Sequence, residues 1–236
     1  MRHTFWNDQF RRSPLSGRGW IFQEPLLSRR VLHFSGDQLL WECREQSACE
    51  TWPGGLPSAL QERAAGNATK AAYTSWRCGE LGHSLEHLGG QGQKHMRIWQ
   101  AITAEHSACD LTMPDDKLIA LSGIADEMLL VFKDDYLAGN WRSQYPHILM
   151  WTGGKSRPCP LRAPSWSWAS VDGKIQWQGV AYRVFVIEII SIETVLSHIN
   201  PQLSSSPVLR VRGKLVELEW KMVGPEVMLR RDYSDS

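Results

Sequence analysis

The sequence lacks the marks of most enzyme classes. It has no Gly-x-Ser-x-Gly elbow, so no hydrolase nucleophile is signalled. Gly154-Lys155-Ser156 ends like a phosphate loop, but the glycine required five residues earlier is Leu149. Gly89-Gly90-Gln91-Gly92 has neither the spacing nor the strand–helix context of a dinucleotide turn. There is no Cys-x-x-Cys. The five cysteines (Cys43, Cys49, Cys78, Cys109 and Cys159) are odd in number and widely spread, which argues against a disulfide framework and for reduced thiols. Cys78, His83, His87 and His95 share one Gly-rich stretch, but without a close cysteine pair they read as a solvated loop; no metal and no cofactor are expected. Long apolar runs are missing too. Val184–Leu196 is interrupted by Glu188 and Glu193 and is too short to span a bilayer, and MRHTFWNDQFRR has no apolar signal core. The net charge is +1, which calls for neither nucleic acid nor an anionic membrane. The chain is therefore expected to be soluble and cytoplasmic.

What is present is an ordinary globular composition, 42% hydrophobic and 22% charged over 236 residues, with an excess of tryptophan. Twelve tryptophans point to a Trp-rich core, because stacking platforms for bases would come with a basic groove. Periodicity predicts an α+β chain: an N-terminal helix and β-hairpin, a middle helical layer and a C-terminal antiparallel β region. Glu50–Gln93, rich in Gly, Pro, Ala and Ser, reads as a flexible connection with a short helix near Ala59–Ala65. Helices are predicted over Lys94–Ser107, from Pro114 through Met128, and over Leu137–Met150, the last stopping at Trp151-Thr152-Gly153-Gly154. In APSWSWASVDGKI, Trp166 and Trp168 alternate with serines at the period of a half-buried strand. Asp172-Gly173 would turn it into a returning strand at Lys174–Trp177. Tyr182–Leu196 and Val208–Trp220 read as strands around the loop from Asn200 to Pro207. Asp115-Asp116 suits a helix start, and Asp134-Asp135 a solvated surface.

The densest stretch is Gly17–Cys43. Ser16 is a suitable N-cap for a helix carrying Trp20, Phe22, Leu26 and Leu27, and Pro25 should kink or pause it. Arg29 and Arg30 suit the helix C-terminus. Val31–Ser35 and Gln38–Cys43 form a hairpin about Gly36-Asp37. Trp20 lies one turn before Glu24 on the same helix face, so it could wall off a partly desolvated carboxylate able to act as an acid–base group or to bind a sugar hydroxyl.

Four stretches resemble the fungal heterokaryon-incompatibility (HET) proteins, in that family's order. They are Gly17–Glu24 with Arg29-Arg30 and Leu39-Leu40-Trp41-Glu42-Cys43; Pro114-Asp115-Asp116-Lys117-Leu118 through Ala125; Tyr136–Trp141 leading to Leu149-Met150-Trp151; and Arg162-Ala163-Pro164-Ser165-Trp166-Ser167-Trp168-Ala169-Ser170-Val171-Asp172-Gly173. The resemblance implies fungal non-self recognition, vegetative incompatibility and programmed cell death, with other incompatibility proteins as partners; self-association is expected as well, because an apolar face is left where the missing sheet would dock. HET domains in turn resemble TIR-type domains, some of which cleave NAD through a helix bearing Trp-x-x-x-Glu. Trp20 and Glu24 hold that spacing, so the resemblance carries the catalytic role onto Glu24, with Arg18, Trp20 and Gln23 as binding neighbours and Trp166, Trp168, Asp172 and Gly173 as the structural motif. The family's opening strand segments have no counterpart here. On this reading residues 1–30 are the last segment of a truncated HET domain and 31–236 the region that follows it, with the flexible linker around 50–93. The expected result is a chain that is not an NADase alone, because a lone carboxylate cannot position a substrate. The alternative is a TIR-like NAD-cleaving effector built on Glu24.

Overall fold

The computed structural model describes residues 17–43, 46–57, 73, 91–155, 162–178, 187–193, 208–213, 219–223 and 226–230. The Ser16 cap, the helix near Ala59–Ala65, the Cys78/His83/His87 group and the loop at 200–207 lie outside them.

Helix α1 (Gly19–Leu27) starts after Arg18, which takes an extended conformation and gives no side-chain cap. Pro25 neither ends nor interrupts it. The proline falls in the last turn, where the helix closes through Ser28 N–H to Glu24 O at 2.9 Å, a bond that does not need the missing donor. The hairpin follows as expected. Strand β1 (Arg30–Phe34) pairs antiparallel with β2 (Leu39–Cys43), and β2 with β3 (Ser47–Cys49). Leu40, Cys49 and Leu56 close a small core under this sheet, with Trp52 against it.

The main core is built on α2 (Gln91–His106). Its inward stripe of Ile98, Trp99, Ile102, Thr103 and His106 is buried throughout, the i, i+3/i+4, i+7 pattern of a helix with one apolar face. Against it pack Leu26 of α1, Leu121, Ile124, Ala125 and Met128, and the buried Trp141, Ile148, Trp168 and Ile175. Trp99, Trp141 and Trp168 are fully buried, as the Trp-rich-core reading requires. Trp141 meets Trp99 edge-on (5.7 Å), Tyr136 (5.0 Å) and Phe132 (4.9 Å). Contacts of this kind add about 0.5–1.5 kcal/mol each beyond area burial.

Three expectations fail. The helix predicted from Pro114 through Met128 is instead two short 3-10 turns (Pro114–Lys117 and Ile119–Leu121) followed by α3 (Ser122–Phe132). In its first turn the Lys117 side chain enters the core, where Nζ donates to Val171 O at 2.6 Å. The helix over Leu137–Met150 is absent. Tyr136–Leu137 (β4) and Asn140–Trp141 (β5) make a minimal hairpin about Ala138 (φ 50) and Gly139 (φ 88), followed by 3-10 turns at Arg142–Gln144 and His147–Leu149. Trp151–Gly153, expected as a helix stop, is strand β6. Finally, Ala163–Val171 is not a strand. Trp168–Ser170 is a 3-10 turn capped by Ser167, whose Oγ accepts from Ala169 N–H (3.1 Å) and donates to Ala138 O (2.6 Å). The serine hydroxyl offers the backbone a local partner in place of a ladder. The Asp172-Gly173 turn is present, but the strand after it, β7 (Ile175–Trp177), pairs with β6 and not with the Trp166 segment.

Strands β8 (Ile187–Glu193) and β9 (Val208–Gly213) pair antiparallel as expected, and β10 (Glu219–Val223) pairs with β11 (Glu226–Arg230). The chain is thus α+β: a helix and hairpin, a middle helical layer and antiparallel hairpins at the C-terminal end. Among the described residues no helix is long and apolar enough to cross a membrane, and Cys43, Cys49 and Cys109 are free thiols.

Candidate functional site

Glu24 stands on the exposed side of α1. Trp20, 43% exposed, does not wall it in: its indole N–H turns away to donate to Asp116 Oδ2 at 3.0 Å. Arg18 is exposed and joins α1 to the chain beyond α2 through its backbone bridge to Asp110, flanked by Gly19 N–H to Asp110 O at 2.8 Å and Asp110 N–H to Gly17 O at 2.7 Å. Gln23 is half-buried, with its Oε1 buried and unpartnered near Gly123 of α3. Gln23 and Glu24 therefore face different surroundings, and the desolvated carboxylate pocket is not formed.

The structure concentrates charge elsewhere. Arg162, whose side chain is 4% exposed, reaches four acceptors. Nε donates to Ala169 O (2.7 Å), Nη2 to Val171 O (2.6 Å) and Nη1 to Pro114 O (3.2 Å), and Nη1 also pairs with Asp172 Oδ1 (2.6 Å). The planar guanidinium suits this role because its donors lie in a fixed fork. Lys117 shares the Val171 carbonyl and lies 5.2 Å from the centre of the Trp168 ring. Burial, reinforced by the neighbouring Arg162 charge and opposed by Asp172, holds the Lys117 amine down at about 8.

Trp168 is the hub. Its Nε1–H donates to Gly139 O at 2.8 Å, and Trp99 Nε1–H donates to the same oxygen at 3.0 Å. Trp168 also meets His106 edge-on at 6.4 Å, and the His106 ring in turn meets Phe22 of α1 at 5.4 Å. His106 is 1% exposed, and both ring nitrogens are buried without a partner. Burial, then the Lys117 charge, lowers its pKa to about 4, so the ring is neutral at physiological pH. Trp166 is half-buried against Tyr145 (6.1 Å), and its carbonyl accepts from Trp151 Nε1–H at 3.2 Å. Gly173 (φ +80) shapes the turn through which Lys155 N–H donates to Asp172 O at 2.6 Å.

The residues singled out from the sequence thus split. Trp166, Trp168, Asp172 and Gly173 belong to one interlocked motif, and Trp20 reaches it through Asp116; Glu24 does not. Sequence reasoning passed over His106, Lys117 and Arg162 as individuals. His106 was findable, since it continues the buried stripe Trp99–Ile102–Thr103 by one turn. Lys117 follows the acidic pair Asp115-Asp116 and Arg162 precedes Ala163-Pro164, so neither stood out as a buried cation. Both cations are spent on main-chain carbonyls, which cross-links the segments and leaves little for a substrate. Among the described residues no cluster of His, Cys, Asp and Glu could hold a metal ion. Comparison with protein-family models, curated proteins and solved structures finds no match to this chain.

Proposed function

We propose that the chain is a HET-type protein of fungal non-self recognition, acting in vegetative incompatibility and programmed cell death as a non-catalytic interaction part and not as an enzyme by itself. One observation supports this reading. The separated stretches that resemble that family meet in space: Trp20 on Asp116, Lys117 on Val171, Arg162 on Pro114 and Asp172, and Trp168 on Gly139. Motifs that share a core are held together for the shape they build. Glu24 stands outside that core, exposed, and among the described residues its carboxylate has no hydrogen-bond or ion-pair partner to aim it at a reacting atom. On this reading the chain works in the cytoplasm, and its partners are other incompatibility proteins.

Two measurements test the proposal. Purified chain incubated with NAD should release nicotinamide no faster than buffer; turnover that disappears in Glu24→Gln would establish the TIR-like alternative. In a filamentous fungus, hyphal fusions made with and without the expressed chain should differ in dye-stained dead compartments. Identical outcomes in every pairing would refute the incompatibility role.

A further inference from the structure

Among the described residues strand β1 is an edge of its three-stranded sheet, and its outward edge has a definable hydrogen-bonding phase. Ser35 N–H donates to Gln38 O (3.3 Å) across the Gly36-Asp37 turn, and the register sets Phe34 opposite Leu39, His33 opposite Leu40 and Leu32 opposite Trp41. Hydrogen-bonded and non-bonded pairs alternate along an antiparallel ladder. His33 and Val31 therefore exchange backbone bonds with β2, whereas Arg30, Leu32 and Phe34 turn their N–H and C=O groups outward. The far side of β2 has the matching phase: Cys43 N–H donates to Gln46 O (2.8 Å) and Glu50 N–H to Leu39 O (3.3 Å), both toward the β3 side. The residues with outward backbone are also the exposed ones. Leu32 is 49% and Phe34 75% exposed, and Arg30 is exposed on the same face. An apolar edge strand with its polar backbone open is a template for another strand.

We infer that β1 pairs antiparallel with β1 of a second copy of this chain, about a twofold axis through Leu32. The strand is self-complementary in that register. Leu32 faces Leu32 of the second copy in a hydrogen-bonded pair, and the two flanking pairs set Arg30 against Phe34, so each guanidinium lies beside an aromatic ring. The two Arg30 side chains stay at opposite ends of the ribbon, roughly 13 Å apart at 3.3 Å per residue. All three outward-turned residues find a partner, and the two sheets become one of six strands. A twofold contact of this kind closes on itself and does not propagate. The contact is smaller than the 20–30 residues a side of a stable interface, so the dimer is weak and concentration-dependent. The inference is independent of the functional proposal above, because it uses only β1 and its register.

Sedimentation of the full chain over a hundredfold concentration range tests it. A reversible monomer–dimer equilibrium is expected. Leu32→Pro removes the central outward donor without touching the β2 ladder and should weaken dimerisation at least tenfold. Phe34→Lys sets like charges against Arg30 and should do the same. Phe34→Glu sets opposite charges against Arg30, so it should keep dimerisation within a few-fold of wild type at low salt and lose it at high salt. Circular dichroism checks that each variant remains folded. A chain that is monomeric at every concentration overturns the inference. So does equal loss in Phe34→Glu and Phe34→Lys, which would mean that a greasy patch and not this register drives association.

Discussion

Acid should destabilise this protein through His106. The ring is enclosed by Phe22 and Trp168, is 1% exposed and has no partner for either nitrogen. The titratable group facing it is Lys117, a further positive charge. Its folded-state pKa of about 4 lies below the ordinary 6.5. Between those two values the unfolded chain binds the proton and the folded chain does not, so stability rises with pH. The contribution is complete above pH 6.5, is lost progressively as pH falls, and is fully gone below pH 4. The full difference corresponds to about 3 kcal/mol, and about 1.4 kcal/mol is already lost at pH 5.5. Urea titrations followed by tryptophan fluorescence at pH 7.5, 6.5, 5.5 and 4.5 measure it. His106→Phe, which keeps a ring in the aromatic enclosure, should lack this part of the pH dependence. The difference between the two proteins should therefore change by about 2.5 kcal/mol across the series. Should the variant fold poorly, the carbon-13 shift of the imidazole in the native chain gives the same answer. A His106 ring titrating near pH 6.5 in the folded protein, or parallel pH profiles for the two proteins, would refute the reasoning.

Further outcomes follow from the same core. Gly139→Ala should cost upwards of about 2 kcal/mol in chemical denaturation, because a Cβ at φ +88 would sit 3.0 Å from Trp168 Nε1 and 2.9 Å from Leu118 Cδ2. Arg162→Met should cost about 3 kcal/mol by the same measurement, since it strips donors from the Ala169, Val171 and Pro114 carbonyls at once, and Arg162→Lys should recover only part of that. Lys117, with a folded pKa of about 8 against 10.5, binds its proton less readily when folded. The Lys117 contribution to stability should therefore rise from pH 8 toward 10.5, and the difference between the native chain and Lys117→Met in matched urea titrations should grow over that range.

The α+β class was legible from periodicity, as were the β1–β2 hairpin, α2 and the β8–β9 pair. Each of these is specified locally, by a two-residue turn, a 3.6-residue stripe or a β-branched run. The segments that failed are those whose conformation is set by distant partners. Ser165-Trp166-Ser167-Trp168 alternates like a strand, but Ser167 bonds to Ala169 and Ala138 and Trp168 bonds to Gly139, so the period describes chemistry and not pleat. Leu137–Met150 contains Gly139 and Pro146, two breakers of a helix, and Gly139 takes the positive φ of the tight turn between β4 and β5. Trp166, Trp168, Asp172 and Gly173 could be singled out in the sequence, and their packing follows from partners distant in the chain. The isolation of Glu24 was not, because exposure depends on what packs nearby, and the Trp20 indole could have turned either way until Asp116 was placed beside it.

The Gly139 carbonyl has one more consequence. Both of its lone pairs are taken by indole N–H groups, one from α2 and one from the Trp166–Ser170 segment. If either tryptophan left alone, the other would stay bonded, but the turn that carries the oxygen would lose one of the two forces that centre it. Layers riveted through a single atom in this way cannot open by halves. The helix, the tight hairpin and the Trp-Ser segment should behave as one cooperative unit, and local openings should be confined to the parts of the chain that do not reach that oxygen.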